Sequence, residues 1–414
     1  MKKALILGGG IQGLSSAFAL LSEGFSVTII DKAASLFNRA SLRNEGKIHL
    51  GFVYANDPTG KTPVLMLRSA LRFAPGLDLL TGSPFPWKSL VSNPFTYTVM
   101  TDTMVPADRL FACYDQLAQD YHRELSDPEL NYLGFREPVF WEPISCPVGF
   151  APDRGLAWAK TCELALDLVG FRTELLTRLN GNGDRVQIRL NEKVMEVHDS
   201  PAGFRVVTSA ADGSLQTYES DLVVNCLWED RIRIDQQVGL VPDYHWVNRL
   251  KYRLMIRLPD QLPVRDSFTY VLGAYGDLVT YPHSEWSYLS WYPVVMKGWS
   301  NDISTPSDWE AACNGLTPEE FRNQLISDVF EVYKHLVPGI ENSQVGLVDA
   351  GIIFSRGSYK DITLPDSELH ERYDIGVQKK DGYFSISTGK FTSAPYHALQ
   401  LKKQLGSALA GSLV

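Results

Sequence analysis

Residues 5–32 read LILGGGIQGLSSAFALLSEGFSVTIIDK, and this stretch decides the fold class. Ala4–Leu7 is a short apolar run, Ile11–Leu21 is rich in small and helix-forming residues, and Ser26–Ile30 is β-branched and apolar. That pattern predicts strand, helix and strand. Gly8, Gly10 and Gly13 fall at G-x-G-x-x-G spacing in the first strand-to-helix turn. There the first glycine permits the tight turn, the second lets backbone amides approach a pyrophosphate, and the third lets helix and strand pack closely. The helix start, Ile11 and Gln12, turns the positive end of its dipole toward the anion. Asp31, with Lys32 beside it, ends the second strand where a carboxylate accepts hydrogen bonds from a ribose diol. A dinucleotide site is expected, and the motif leaves FAD and NAD(P) both open because each carries an ADP half.

The chain of 414 residues, 44% hydrophobic, is long enough for two or three domains with buried cores. A formal charge of -9, from 39 basic and 48 acidic residues, gives no broad attraction to phosphate backbones or anionic lipid, so neither nucleic acid nor membrane is an expected partner. No apolar run approaches the ~20 residues of a spanning helix, and the N-terminus lacks a signal-peptide pattern, so a cytoplasmic location is expected. Cys113, Cys146, Cys162, Cys226 and Cys313 form no CxxC pair, and the eight histidines form no cluster. Neither a disulfide framework nor a bound metal is indicated.

Two aromatic, strand-rich blocks interrupt the α/β pattern, and Ala107–His122 between strands reads as a helix. The expected division is a dinucleotide-binding domain from 1–82, 145–240 and 345–414, with 83–144 and 241–344 forming a largely antiparallel β-sheet domain. ANDPTGKT, Ala55–Thr62, superficially matches a phosphate loop. Pro58 removes an amide from the cradle and Asp57 places negative charge beside phosphate, so an Asn-Asp-Pro turn capping a helix is the better reading.

Beyond Asp31 the chain runs through SLRNEGKIHLGFVYAND, residues 41–57. Gly46, His49 and Gly51 there resemble the flavin-side segment of the D-amino-acid oxidase (DAO) family of FAD-dependent oxidoreductases, in the manner of its glycine- and L-2-hydroxyglutarate-oxidising members. Four later stretches follow in family order: 185–208, 220–226, 347–362 and 381–399. The resemblance implies an α/β, mixed α+β chain: a Rossmann-like FAD-binding domain with an inserted, largely antiparallel substrate domain. It implies FAD held by Gly8, Gly10, Ile11, Gln12, Gly13, Asp31, Lys32, Ser41, Arg43, Asn44, Gly46, Lys47, His49, Val194, Gly389, Lys390, Phe391 and Thr392, with the Val194 backbone against adenine. It also implies hydride transfer from a small amine, amino acid or 2-hydroxy acid to flavin N5. A flavin-binding protein with a non-catalytic or assembly role, or an NAD(P)-linked dehydrogenase, are the alternatives.

Several family positions differ. Asn225-Cys226-Leu227-Trp228 lacks the usual glycine, Ile353 stands where many amino-acid-oxidising members carry arginine, and Thr388-Gly389-Lys390 replaces Thr-Gly-His. Lys390 is a candidate for charge stabilisation near the reduced ring, ahead of a final helix that Ser393 can cap and whose first turn suits Pro395. His49 has three readings: a ring contact, a point of covalent flavin attachment, or a hydrogen-bonded core histidine. In NRLKYRLMIRLP, residues 248–259, alternation puts Arg249, Arg253 and Arg257 on one face. Arg253 and Arg356 are the expected carboxylate grips.

Overall fold

The computed structural model describes residues 2–201, 203–357, 364 and 367–411. A six-stranded sheet draws strands from both ends and the middle of the chain. β1 (Lys3–Leu7) lies at its centre, parallel to β2 (Ser26–Asp31) on one side and to the strand Leu222–Asn225 on the other. Val186–Leu190 lies beyond β2, Tyr383–Ser387 beyond Leu222–Asn225, and the antiparallel strand Gly376–Lys380 closes the far edge. Alternation along β1 feeds two cores. Ala4 and Ile6 pack with Leu14, Ala17 and Phe18 of α1 (Ile11–Ser22), while Leu5 and Leu7 pack with Val194, Val197 and Val206 of a small antiparallel meander. Burial on both faces explains why β1 is apolar throughout rather than alternating.

The second sheet has nine strands. Its longest pair, Trp246–Arg257 with Gln344–Arg356, is antiparallel. Trp246–Arg257 pairs on its other side with Met296–Ser300 and Ser287–Trp291, and the sheet continues through Gly276–Val279, Ser267–Val271, Phe95–Met100, Gly155–Thr161 and Trp141–Ile144. Only the Ser267–Val271 and Phe95–Met100 pairing is parallel. The aromatic block mostly packs this sheet: Tyr270 and Trp291 meet edge to face at 5.5 Å above Tyr333.

Strand pairing moves two of the expected boundaries. Gly155–Thr161 pairs with Phe95–Met100, so the chain leaves the second sheet after 161 rather than at 145. Gln344–Arg356 likewise belongs to the second sheet, so the final return comes after 356 rather than at 345. Neither boundary is marked by a change of composition in the sequence. The expected helix at 107–122 runs Ala107–Glu124. Asp57 accepts from the amides of Thr59 and Thr62, both at 2.8 Å, and caps the helix Lys61–Leu71, as its turn chemistry predicts. Residues 358–362 of the stretch 347–362, and Ala202 in the turn at 201–203, lie outside the described residues.

The turn between β1 and α1 is sterically saturated. A Cβ on Gly13 would stand 1.8 Å from the Gly8 carbonyl oxygen, and Gly8 itself has φ +96° with the Cys226 carbonyl 2.7 Å from any added Cβ. Gly13→Ala is therefore expected to cost about 3 kcal/mol in urea unfolding; a loss below about 0.5 kcal/mol would show that the turn relaxes freely.

Candidate active site

A cleft lies where the two sheets meet and takes in about 1290 Å³ of space outside the protein atoms. One end is built by the glycine turn. Gly8, Gly10, Ile11 and Gln12 line it, and a side chain at Gly10 would press to 2.8 Å on the Ser41 hydroxyl. Ser41 accepts from the Ile11 amide at 2.9 Å, so the loop after β2 is tied to the helix start. Gln12 donates to the Ala394 carbonyl at 3.2 Å and draws the first turn of the C-terminal helix (Ala394–Gly411) to the same place. Asp31 accepts from the amides of Gly9 at 2.6 Å and Ala33 at 2.7 Å, which fixes its carboxylate at the cleft wall with lone pairs to spare. Burial raises its pKa against those two amide bonds.

Charge at this end is balanced. Lys32 contacts Asp230 at 2.9 Å, Glu310 at 3.1 Å and Glu229 at 3.2 Å, and Arg39 reaches Glu229 at 2.9 Å and Glu310 at 2.6 Å. Burial opposes the Glu229 carboxylate, but Lys32 and Arg39 outweigh it and hold the group down at about 2. Trp228, in the place of the expected glycine, takes the left-handed backbone itself at φ +56°. Its indole N–H donates to the Ile352 carbonyl at 2.8 Å, a packed anchor that compensates the strain.

The other end gathers Glu45, Lys47, His49, Tyr292, Ile353, Thr388, Gly389, Lys390 and Phe391. Asn44 shapes the loop that delivers the first three: it donates to the Ala40 and Ser41 carbonyls and accepts from the Gly46 amide at 2.7 Å. Gly46 needs its glycine, with φ +72° and the Leu166 carbonyl 2.3 Å from a Cβ. Lys47 is neutralised by Asp277 at 2.6 Å and also donates to Thr269. The Thr392 hydroxyl accepts from the His49 amide at 2.9 Å. The His49 ring is buried, its Nδ1 has no partner, and its Nε2 lies 3.8 Å from Glu45. Burial, with Lys390 and Lys47 nearby, holds it well below the ordinary histidine range, so it is neutral. Burial also lowers the Lys390 amine to about 7, with Arg372 adding repulsion.

Most expected cofactor residues line this one cleft, including Val194 at its far wall. Gly13, Gly46, Arg43 and Thr392 support it from behind; Arg43 pairs with Asp349 at 3.1 Å. The expected carboxylate grips do not reach it. Arg253 is committed to Asp349, at 2.7 and 3.2 Å, and Arg356 pairs with Asp374 beside Tyr244, outside the cleft. Arg257 sits at the exposed strand end, 3.5 Å from Glu285. Ser393 does not cap the final helix; its hydroxyl donates back to the Thr388 and Lys390 carbonyls, because the short turn Phe391–Ser393 already leads into the helix, and Pro395 takes the first turn as expected. Glu45, Arg39 and Glu229 are cleft residues without a sequence signal, except that Glu45 lies inside the stretch already marked by Gly46 and His49; Tyr292 belongs to the second aromatic block and Trp228 to the stretch with the missing glycine.

The family model for FAD dependent oxidoreductases, DAO, matches residues 3–356. The chain belongs to this family. It is an FAD-dependent oxidoreductase with the expected mixed α/β fold. Glycine oxidase from Geobacillus kaustophilus superposes with a TM-score of 0.65 at 16% identity, covering 96% of this chain and 93% of that one. L-proline dehydrogenase from P. horikoshii gives 0.64 at 12% identity, covering 98% and 94%. D-amino acid dehydrogenase from Vibrio vulnificus (strain YJ016) is 40% identical over 50 residues, only 12% of either chain. Among the described residues no helix is long and apolar enough to cross a membrane, and no cluster of His, Cys, Asp and Glu is suited to a metal.

Glu163 holds the loop of Lys47 and His49 from below, accepting from the Leu50 amide at 2.6 Å and from the Tyr97 hydroxyl. Burial raises its pKa to about 7. A carboxyl raised from 4.5 binds its proton more tightly in the fold, so its stabilisation is full below pH 4.5 and lost as pH rises through about 7. Between pH 5 and 8 this group is expected to remove on the order of 2–3 kcal/mol. Glu163→Gln should flatten that slope in thermal melts; an equal slope in both proteins would assign the pH dependence elsewhere.

Proposed function

We propose that the cleft holds FAD lengthwise, with the adenosine end at Val194 and Asp31, the pyrophosphate at the start of α1 beside Gly10, and the ring end between Lys47, His49 and Lys390. The observation that supports this most is continuity: one cleft joins the glycine turn to that cluster. Gly10 suits a phosphate site because it adds no side chain of its own to the start of α1, which lines the cleft. Bound FAD supplies the hydride acceptor for oxidation of a small amine, amino acid or 2-hydroxy acid. The six-stranded sheet carries the cofactor half and the nine-stranded sheet the substrate half.

The chain's own residues set the electrostatics. Lys390 on its loop and the amide end of the C-terminal helix both bring positive potential to the ring end, where negative charge builds as the ring is reduced. Neutral His49 offers an unoccupied Nδ1 for substrate or ring. Tyr292 and Phe391 shield that end from water.

The purified protein is expected to show a flavin spectrum, and Gly10→Glu to lose it, because the new carboxylate takes the phosphate's place. Acid precipitation then separates free from covalent flavin: release into the supernatant would remove His49 as a point of attachment. A protein that neither carries nor takes up FAD would overturn the placement. Because Lys390 gives up its charge near pH 7, flavin reduction by substrate is expected to slow as pH rises through about 7. Lys390→Met should be slower throughout and lose that inflection in stopped-flow absorbance. An unchanged profile would remove Lys390 from the chemistry.

A further inference from the structure

The strands Trp246–Arg257 and Gln344–Arg356 set Arg249 opposite Ile353, Lys251 opposite Gly351 and Arg253 opposite Asp349. Residues directly opposite in an antiparallel pair share a face. Ile352 and Ile353 both line the cleft, and Arg249, Lys251 and Arg372, though none of them lines it, all lie near enough to the cleft-lining Lys390 to repel its charge. Arg253, next in line, has its counter-ion in Asp349. Among the described residues Arg249 has none, and Lys251 has only Glu45 at 3.9 Å.

Arg249 is 2% exposed. Its Nη2 donates to the Ser355 hydroxyl at 2.8 Å, while Nε and Nη1 have no partner. Arg372 reaches the same hydroxyl at 2.7 Å and the Phe354 carbonyl at 3.3 Å. Neither guanidinium has a carboxylate within ion-pair distance among the described residues. Lys251 is also buried; its Nζ makes no hydrogen bond, lies 4.0 Å from the centre of the cleft-lining Tyr292 ring and 3.9 Å from Glu45. Burial, with Arg372 adding repulsion, pulls Arg249 down to about 10, which leaves it cationic at neutral pH.

Buried charge without a counter-ion is costly, and a buried guanidinium fork with two idle donors is shaped for an oxyanion. Lys251 has only Glu45 near it and Arg249 and Arg372 have no carboxylate, a surplus of positive charge that a dianion offsets. The same cations repel an ammonium group, which favours a hydroxyl over an amine at the carbon oxidised. We propose that Arg249, Lys251 and Arg372 seat a doubly charged oxyanion of the substrate, a hydroxy compound ending in a second carboxylate or a phosphate. This rests on the placement of the flavin ring beside Lys390 and His49.

Calorimetric titration of the FAD-loaded protein at pH 8 with malonate, inorganic phosphate and acetate tests it, with the flavin spectrum as a second readout. Malonate or phosphate is expected to bind saturably and acetate at least about tenfold more weakly. Tighter malonate indicates a dicarboxylate, tighter phosphate a phosphate ester. Arg249→Gln and Lys251→Gln should each weaken the dianion about tenfold or more while the protein keeps its flavin spectrum. Lys251→Gln breaks no hydrogen bond, so it decides the matter if Arg249→Gln does not fold. Flat titrations of a flavin-loaded protein, acetate equal to the dianions, or variants that bind as tightly as the parent would overturn the anion seat alone. A protein that takes up no FAD overturns the flavin placement instead.

Discussion

The approach of Gly13 to the Gly8 carbonyl is the constraint on which the site depends. A gap that would leave a Cβ only 1.8 Å from that oxygen brings α1 hard against β1 and aims its first amides into the space between the sheets. The surrounding chain is then referenced to this helix start. Ser41 bonds the Ile11 amide, Gln12 bonds the Ala394 carbonyl, and Gly8 packs on Cys226 at the end of a neighbouring strand. Segments from residues 8, 41, 226 and 394 thus meet at one point, and the cleft follows from their convergence.

How much of this was legible in the sequence depends on whether the signal was steric or relational. The glycine turn is steric: any residue larger than glycine fails there, so spacing alone located it. The helix cap at Asp57 was legible from its turn chemistry, and the loop of Gly46 and His49 only through its resemblance to the family's flavin-side segment. The arginines were not. Alternation correctly grouped Arg249, Arg253 and Arg257, but only the register against Gln344–Arg356 distinguishes them: Asp349 falls opposite Arg253 and Ile353 opposite Arg249. Arg372 joins Arg249 through a shared serine from more than a hundred residues away, a relation no spacing rule expresses. The domain boundaries failed likewise, because Gly155–Thr161 and Gln344–Arg356 are apolar strands that either sheet would accept.

Trp228 shows how a missing motif residue need not mean a lost site. The left-handed backbone persists at φ +56° without glycine because the indole anchors to Ile352 and packs near Phe354 at 5.9 Å. Tertiary packing there supplies what glycine supplies elsewhere by lacking a side chain.

The two ends of the cleft treat charge in opposite ways, and that contrast bears on what each holds. At the glycine end Lys32 and Arg39 are saturated by Glu229, Asp230 and Glu310, and the last of these reaches across from the helix Trp309–Cys313 to join the two halves of the molecule. Those cations are structural, which leaves backbone amides and the helix dipole to hold a pyrophosphate. At the ring end Lys47 is answered by Asp277 and Arg253 by Asp349, yet Arg249, Arg372 and Lys251 remain short of anions behind the same cleft wall. Lys390, which lines the cleft beside them, likewise has no carboxylate at ion-pair distance among the described residues. Arg249 and Arg372, left without any carboxylate among those residues, lie close to Lys390 at the cleft wall, and on the proposed reading the missing negative charge arrives with the substrate.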